Sequence, residues 1–86
     1  MVRFDDAASA VATVLEVHAA DSVGLLYRIT RALAELDLDI RRAKVQTLGE
    51  SVVDAFYLCD ADGQKLTDPD VWSEVERAVL HAITTG

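Results

Sequence analysis

Apolar and polar residues repeat along this chain with two different periods, and the switches between them mark out the elements. Over residues 13–19, Leu15, Val17 and Ala19 alternate with Glu16 and His18, the period of two expected of a strand with one buried face. Over residues 25–36 the apolar positions fall at 25/26, 29, 32/33 and 36, which is one stripe of an amphipathic helix. The loop between them, Ala20-Asp21-Ser22-Val23-Gly24, offers Ser22 or Asp21 as the helix cap. Asp37-Leu38-Asp39 closes the helix. Ile40 opens another strand, continued by Ala43, Val45 and Thr47. Ile40 is out of phase with those three, so a bulge or bend is expected near Arg41-Arg42. Leu48-Gly49-Glu50-Ser51 reads as a hairpin turn. Residues 52–60 form a strand that is apolar at nearly every position, with Asp54 the exception. After a turn at Ala61-Asp62-Gly63-Gln64, Thr67-Asp68-Pro69-Asp70 starts a helix: a capping residue, Pro in the first turn, and acids at the positive end of the dipole. Val71, Trp72, Val75, Ala78, Val79, Ala82 and Ile83 then recur at helical spacing. A short strand at residues 2–5 and a weakly patterned connection at 7–12 complete the order ββαββα.

One antiparallel sheet with both helices on one face accommodates this order. The other face then carries Val14, Glu16, His18, Arg42, Lys44, Val53, Ala55, Tyr57 and Cys59. That mixture is neither fully solvated nor fully core, so it or the sheet edge is expected to be covered in an oligomer or a larger protein.

Composition narrows the function classes. The chain has 86 residues, enough for one domain, and 51% of them are hydrophobic, which argues against disorder. A net charge of -7 disfavours nucleic acid and anionic membrane surfaces as partners. Arg41, Arg42 and Lys44 are the only basic cluster, and Tyr57 is the only aromatic available to stack a base, which is too little for an RNA-binding sheet. The single cysteine, Cys59, excludes an internal disulfide and any multi-cysteine metal site and fits a cytoplasmic protein. No apolar run approaches the roughly 20 residues of a membrane span, and the N-terminus lacks a signal peptide's apolar stretch.

Conventional catalytic chemistry finds no foothold. The chain has no Gly-rich phosphate loop, no His-x-x-x-His pair and no Cys-x-x-Cys. His18 and His81 lie far apart without a ligand set, so neither a catalytic group nor a metal site is expected. Cys59 reads as a buried, inert thiol, and Trp72 as part of the core. The loop ahead of the first helix has the logic of a site. Free N–H groups and the dipole at a helix N-terminus hold a carboxylate, Asp21 would accept from an ammonium group, and Gly24 permits close backbone approach. The simpler reading is that Asp21 or Ser22 caps the helix and Gly24 relieves strain. Asp39 is the second candidate: a solvated turn acid, or a residue facing the first loop of a partner.

The run Thr13-Val14-Leu15-Glu16-Val17-His18-Ala19-Ala20-Asp21-Ser22-Val23-Gly24-Leu25-Leu26-Tyr27 resembles an ACT domain. So do Leu38-Asp39-Ile40, Ala43-Lys44-Val45-Gln46-Thr47, Val53-Asp54-Ala55-Phe56-Tyr57-Leu58 and Gly63-Gln64-Lys65-Leu66. In order and spacing they are similar to the C-terminal ACT domain of bacterial PII uridylyltransferase/uridylyl-removing enzymes, a subgroup that Val2-Arg3-Phe4-Asp5-Asp6 also fits. The resemblance implies a ferredoxin-like α+β fold, with a four-stranded antiparallel sheet and two helices on one face. That family ordinarily ends β-α-β. This chain ends on its second helix, so residues 2–5 are expected at the sheet edge, antiparallel to 13–19, in place of the last strand. It implies a ligand held by Asp21, Ser22, Val23, Gly24, Leu25 and Leu26, together with Asp39 and Ile40 of a partner domain. The common Asp-Arg-Pro-Gly loop is here Asp21-Ser22-Val23-Gly24, and losing the Pro removes a fixed φ.

The resemblance further implies that residues 1–86 are a single regulatory domain, separated from a longer multidomain enzyme, with no activity or cofactor of its own. It would sense an amino acid, glutamine first, and pair with another ACT domain. Through the parent enzyme, which would use Mg and a nucleoside triphosphate, it would act on the PII signal protein. The rival reading is a purely structural ACT module that dimerises or binds protein without a ligand.

Overall fold

The two periods appear, among the described residues, as six elements: β1 (Val2–Asp5), β2 (Thr13–Ala20), α1 (Leu25–Glu35), β3 (Asp39–Leu48), β4 (Ser51–Cys59) and α2 (Pro69–Thr84). They are seen in a computed structural model that describes residues 2–5, 9–20 and 23–84. All strand pairs are antiparallel, in the order β1-β2-β4-β3. The short β1 lies at the edge against β2, with Val2 opposite Val17 and Asp5 opposite Val14, the edge position and antiparallel pairing expected for it. The architecture is a ferredoxin-like α+β sandwich.

Register explains which side chains meet the helices. Leu15 and Phe56 are opposite one another, and with Val17, Val52 and Leu58 they form the sheet side of the core. Leu25, Ile29 and Leu33 of α1 and Val75 and Val79 of α2 close over them. The bulge falls where the phase change placed it. Ile40 pairs with Leu58 and Arg42 with Tyr57, leaving Arg41 as the extra residue. Ile40 thereby turns to the helix side and packs on the core, whereas an unbroken β3 would send it to the face that carries Arg42. Leu48 pairs with Ser51 across a two-residue turn. Gly49 takes φ +66° at its first central position, where a type II′ turn requires glycine.

Helix ends are made locally. At the end of α1 the Leu38 N–H donates to the Leu33 carbonyl (3.3 Å) and the Asp37 N–H to Ala34 (3.0 Å). This is a Schellman closure with Asp37 in the left-handed position, φ 59°. α2 starts on Asp68, whose Oδ1 accepts from the Asp70 N–H at 2.9 Å, with Pro69 as its first residue. Trp72 is half-buried. It stacks on Phe4 and donates through Nε1 to the Leu66 carbonyl, so α2 is fastened to both β1 and the segment before it.

The sheet face away from the helices carries the expected mixture, with two differences. Val14 and Cys59 are buried there rather than open. Cys59 donates Sγ–H to the Val11 carbonyl (3.4 Å), so it is covered by the segment entering β2 and is the buried thiol its apolar neighbours suggested. Arg42 and Lys44 flank the Tyr57 ring at 6.0 and 5.8 Å, within cation–π range. Beside them His18 Nε2 lies 2.8 Å from Glu16 Oε1, and Arg3 reaches Glu16 Oε2 at 3.2 Å. No helix among the described residues is long and apolar enough to cross a membrane.

Candidate functional site

The segment ahead of α1 rises from the end of β2, where Ala20 pairs with Ser51. Asp21 and Ser22 lie outside the described residues. The helix cap falls on neither of them. It falls on Gly24, in the left-handed conformation (φ 74°, ψ 8°) and without a side-chain cap. A capping hydroxyl or carboxylate needs a residue in extended backbone, and the chain here turns into the helix through positive φ, which glycine adopts without strain. The first intrahelical bond runs from the Arg28 N–H to the Gly24 carbonyl at 2.9 Å. The N–H groups of Leu25, Leu26 and Tyr27 therefore have no acceptor within the helix.

These residues divide the work. Leu25 is buried and roots the turn in the core, whereas Val23 is 97% exposed and Leu26 45% exposed. A cavity of about 170 Å³ lies at this turn, lined by Gly24, Leu25, Leu26 and Tyr27 from α1 and by Val45, Val52 and Asp54 from β3 and β4. Asp54 shares the inward parity of Val52, Phe56 and Leu58, and it is only 2% exposed. It places a carboxylate at the positive end of α1. Sequence reading noted Asp54 as an exception without assigning it to the site. The available signal was its parity: an acid on the core side of an apolar strand must be answered by a nearby donor or dipole.

Asp39 and Ile40 stand elsewhere. Asp39 pairs with Cys59 and Leu48 with Ser51, so Asp39 and the loop occupy opposite ends of the sheet. Eight residues of β4 separate them, roughly 26 Å of strand. Asp39 is exposed and ion-paired to Arg41 Nε at 2.9 Å, and Ile40 belongs to the core. One copy of the chain does not bring the two candidate groups together.

The wall beside the cavity is unfinished. β3 is an edge strand, exposed from Arg41 to Leu48, and Val45 and Leu48 are each 55% exposed. Of these, Val45 shares the helix-side parity of Asp54 and Val52, and with Leu26 and Tyr27 it leaves an apolar rim around the first turn of α1. No group of three or more His, Cys, Asp or Glu suited to a metal ion occurs among the described residues.

The sequence model for the ACR family N-terminal ACT domain matches residues 8–86. This chain belongs to the ACT domain family. The ACT domain is also 45% identical over 82 residues to a bifunctional uridylyltransferase/uridylyl-removing enzyme of Pseudomonas putida, and 43% identical over 82 residues to one of Azospirillum brasilense. Each match covers 95% of this chain and 9% of the relative. A Pseudomonas entomophila enzyme of the same name matches at 43% over 74 residues, 86% of this chain and 8% of its own length. The ACT domain thus spans about a tenth of the length of these relatives.

Proposed function

We propose that this ACT domain is the amino-acid-sensing module of a PII-modifying nucleotidyltransferase, with glutamine as the first candidate ligand. The observation that carries the reading is the cavity at the first turn of α1. Residues whose backbone N–H groups have no helical acceptor line it together with a buried carboxylate, beside an edge strand left open. A zwitterion needs donors for its carboxylate and an acceptor for its ammonium. The N–H groups supply the first, and Asp21 or Asp54 the second. At about 170 Å³ the cavity is smaller than the roughly 300 Å³ at which drug-sized pockets begin, which suits a small ligand capped by a second wall.

A second ACT domain supplies that wall in this reading. It covers the exposed β3 edge and brings its own Asp39 and Ile40 to the loop. The bound ligand then favours one relative arrangement of the two domains, and does so only by its differential affinity for the arrangements. The chemistry on PII protein, with its Mg and nucleoside triphosphate, belongs to other parts of the parent enzyme. The open edge of β3 also favours the rival reading, an ACT pairing module without a ligand.

Titration calorimetry separates the two. A sample shown to be dimeric by sedimentation should give saturable heat with glutamine and less with other amino acids. Asp21→Ala should abolish that heat without shifting the urea midpoint. A dimeric sample that gives no heat with any amino acid overturns sensing and leaves the pairing module.

A further inference from the structure

Arg28 makes bonds that neither the core nor the sheet requires. Its Nε donates to the carbonyl of Ala82, in the last turn of α2, at 2.9 Å. Its Nη1 donates to the carbonyl of Val23, in the candidate loop, at 2.7 Å. Its own N–H donates to the Gly24 carbonyl at 2.9 Å. One half-buried residue therefore holds two successive loop carbonyls and the C-terminal turn of a helix 54 residues away. Each partner has a physical reason to take a cation. The last carbonyls of a helix have no N–H within it, and they carry the negative end of its dipole. Val23 precedes the N-cap Gly24, so its carbonyl lies outside the intrahelical ladder of α1.

Guanidinium suits this task and ammonium does not. The fork is planar, with donors fixed in direction, and can serve two acceptors on different sides. A lysine ammonium is a single point that would hold one carbonyl and release the other. The left-handed turn also leaves room for the fork. A Cβ at Gly24 would lie 3.6 Å from Arg28 Nη1, already in van der Waals contact, so side-chain atoms beyond Cβ would compete with the fork for space, and any L side chain would strain the backbone.

We infer that Arg28 is a positioning residue that ties the Val23-Gly24 backbone to the last turn of α2, so that disturbing the loop loosens that turn. The loop is the one proposed above to hold the ligand, and only in naming it a ligand loop does the inference rest on that reading. Ligand binding would then be felt at the end of α2 through one side chain. A carboxylate arriving at the loop would compete with the Val23 carbonyl for the same fork.

The test needs no ligand, so its failure is distinct from a failure of sensing. Val23→Gly loosens the loop through the backbone alone, because the Val23 side chain is 97% exposed and gives up no packing. Amide hydrogen exchange is measured in the 86-residue chain, with β4 amides as the control for global stability. In the wild-type background Val23→Gly should speed exchange of the 82–84 amides about threefold beyond the β4 control. In an Arg28→Lys background it should leave them within about 1.5-fold. Gly24→Asn, which tolerates left-handed backbone but crowds the fork, should repeat the pattern. Equal acceleration in both backgrounds, or none in the wild type, overturns the inference. A side chain that merely stabilised each end separately would give that additive result.

Discussion

Trp72 lies flat on Phe4, with ring centroids 5.0 Å apart and planes 8° from parallel. The pair joins α2 to an edge strand of only four residues, which has little else to hold it. Stacked aromatic pairs contribute about 0.5–1.5 kcal/mol beyond their buried area. Phe4→Ala should therefore lower unfolding free energy by about 2 kcal/mol, below the full core cost because both rings are half-buried. The chain has one tryptophan, so its fluorescence reports this contact directly. Red-shifted emission at low urea, before the main transition, would show β1 peeling away first. An unshifted spectrum with wild-type stability would show that β1 is held by its ladder to β2, the packing of Val2 and the Arg3–Glu16 pair rather than by the stack.

Asp37 should be the residue most easily improved. It sits at φ 59°, where a side chain costs about 1–2 kcal/mol, least for Asn and Asp. Asp37→Gly removes that cost but adds freedom to the unfolded chain, so stability should rise by no more than about 0.5 kcal/mol. Asp37→Val should fall by about 1–2 kcal/mol, because a β-branched residue fits this region worst. Urea midpoints that fail to rank Gly at or above Asp, and Val well below, would mean the Schellman closure is not retained in solution.

Much of this was legible from residues alone, for physical reasons. A period of two against 3.6 fixes element type, and parity fixes face, so the bare face, the bulge after Ile40 and the Asp68-Pro69 start were all readable. The α1 cap was not. Whether Ser22 or Gly24 caps depends on the path the chain takes out of β2, which side-chain pattern does not encode. Arg28 was invisible for a related reason: its partners are backbone carbonyls, and every residue has one. Asp54 was visible as an anomaly, but its meaning depends on which helix end lies above it.

Asp54 should matter through its charge. It is buried in the cavity at the positive end of α1, where an anion stabilises by about 0.3–1 kcal/mol at the surface and up to about 2 kcal/mol when partly buried. Asp54→Asn keeps the shape and removes the charge, so it should cost about 1–2 kcal/mol in urea denaturation. Val17, opposite Asp54, should show the largest amide shift among β2 residues. A neutral Asp54→Asn would show that its role is shape alone.

Acid should act on the open sheet face. The hydrogen bond from His18, and after it the charge of Arg3, holds the Glu16 carboxyl below its ordinary value of 4.5. Because the folded value is lowered, the pair stabilises above the ordinary carboxylate range, and the gain is lost as pH falls through 4.5 and below. The pair is near the surface, so the loss should be about 0.5 kcal/mol or less. Glu16→Gln should be less stable than wild type at pH 7, and the difference should shrink steadily as pH falls below 4.5. A constant difference between the two across that range would place the acid sensitivity elsewhere.

The distance between the α1 loop and Asp39 allows a decisive test of a shared site. If each site takes its loop from one domain and Asp39 from the other, Asp21→Ala and Asp39→Ala each destroy both sites of a symmetric dimer. Mixed in equal amounts and allowed to exchange, the two variants form heterodimers in about half of the dimers. In each heterodimer one site receives both alanines and the other receives neither. The mixture should therefore recover glutamine binding at about a quarter of the wild-type stoichiometry, with wild-type affinity at the recovered sites. Recovery of nothing would mean that the loop and Asp39 of one chain do not serve a common site with a partner's. Full binding by Asp39→Ala alone would confine the ligand to the cavity beside Asp54.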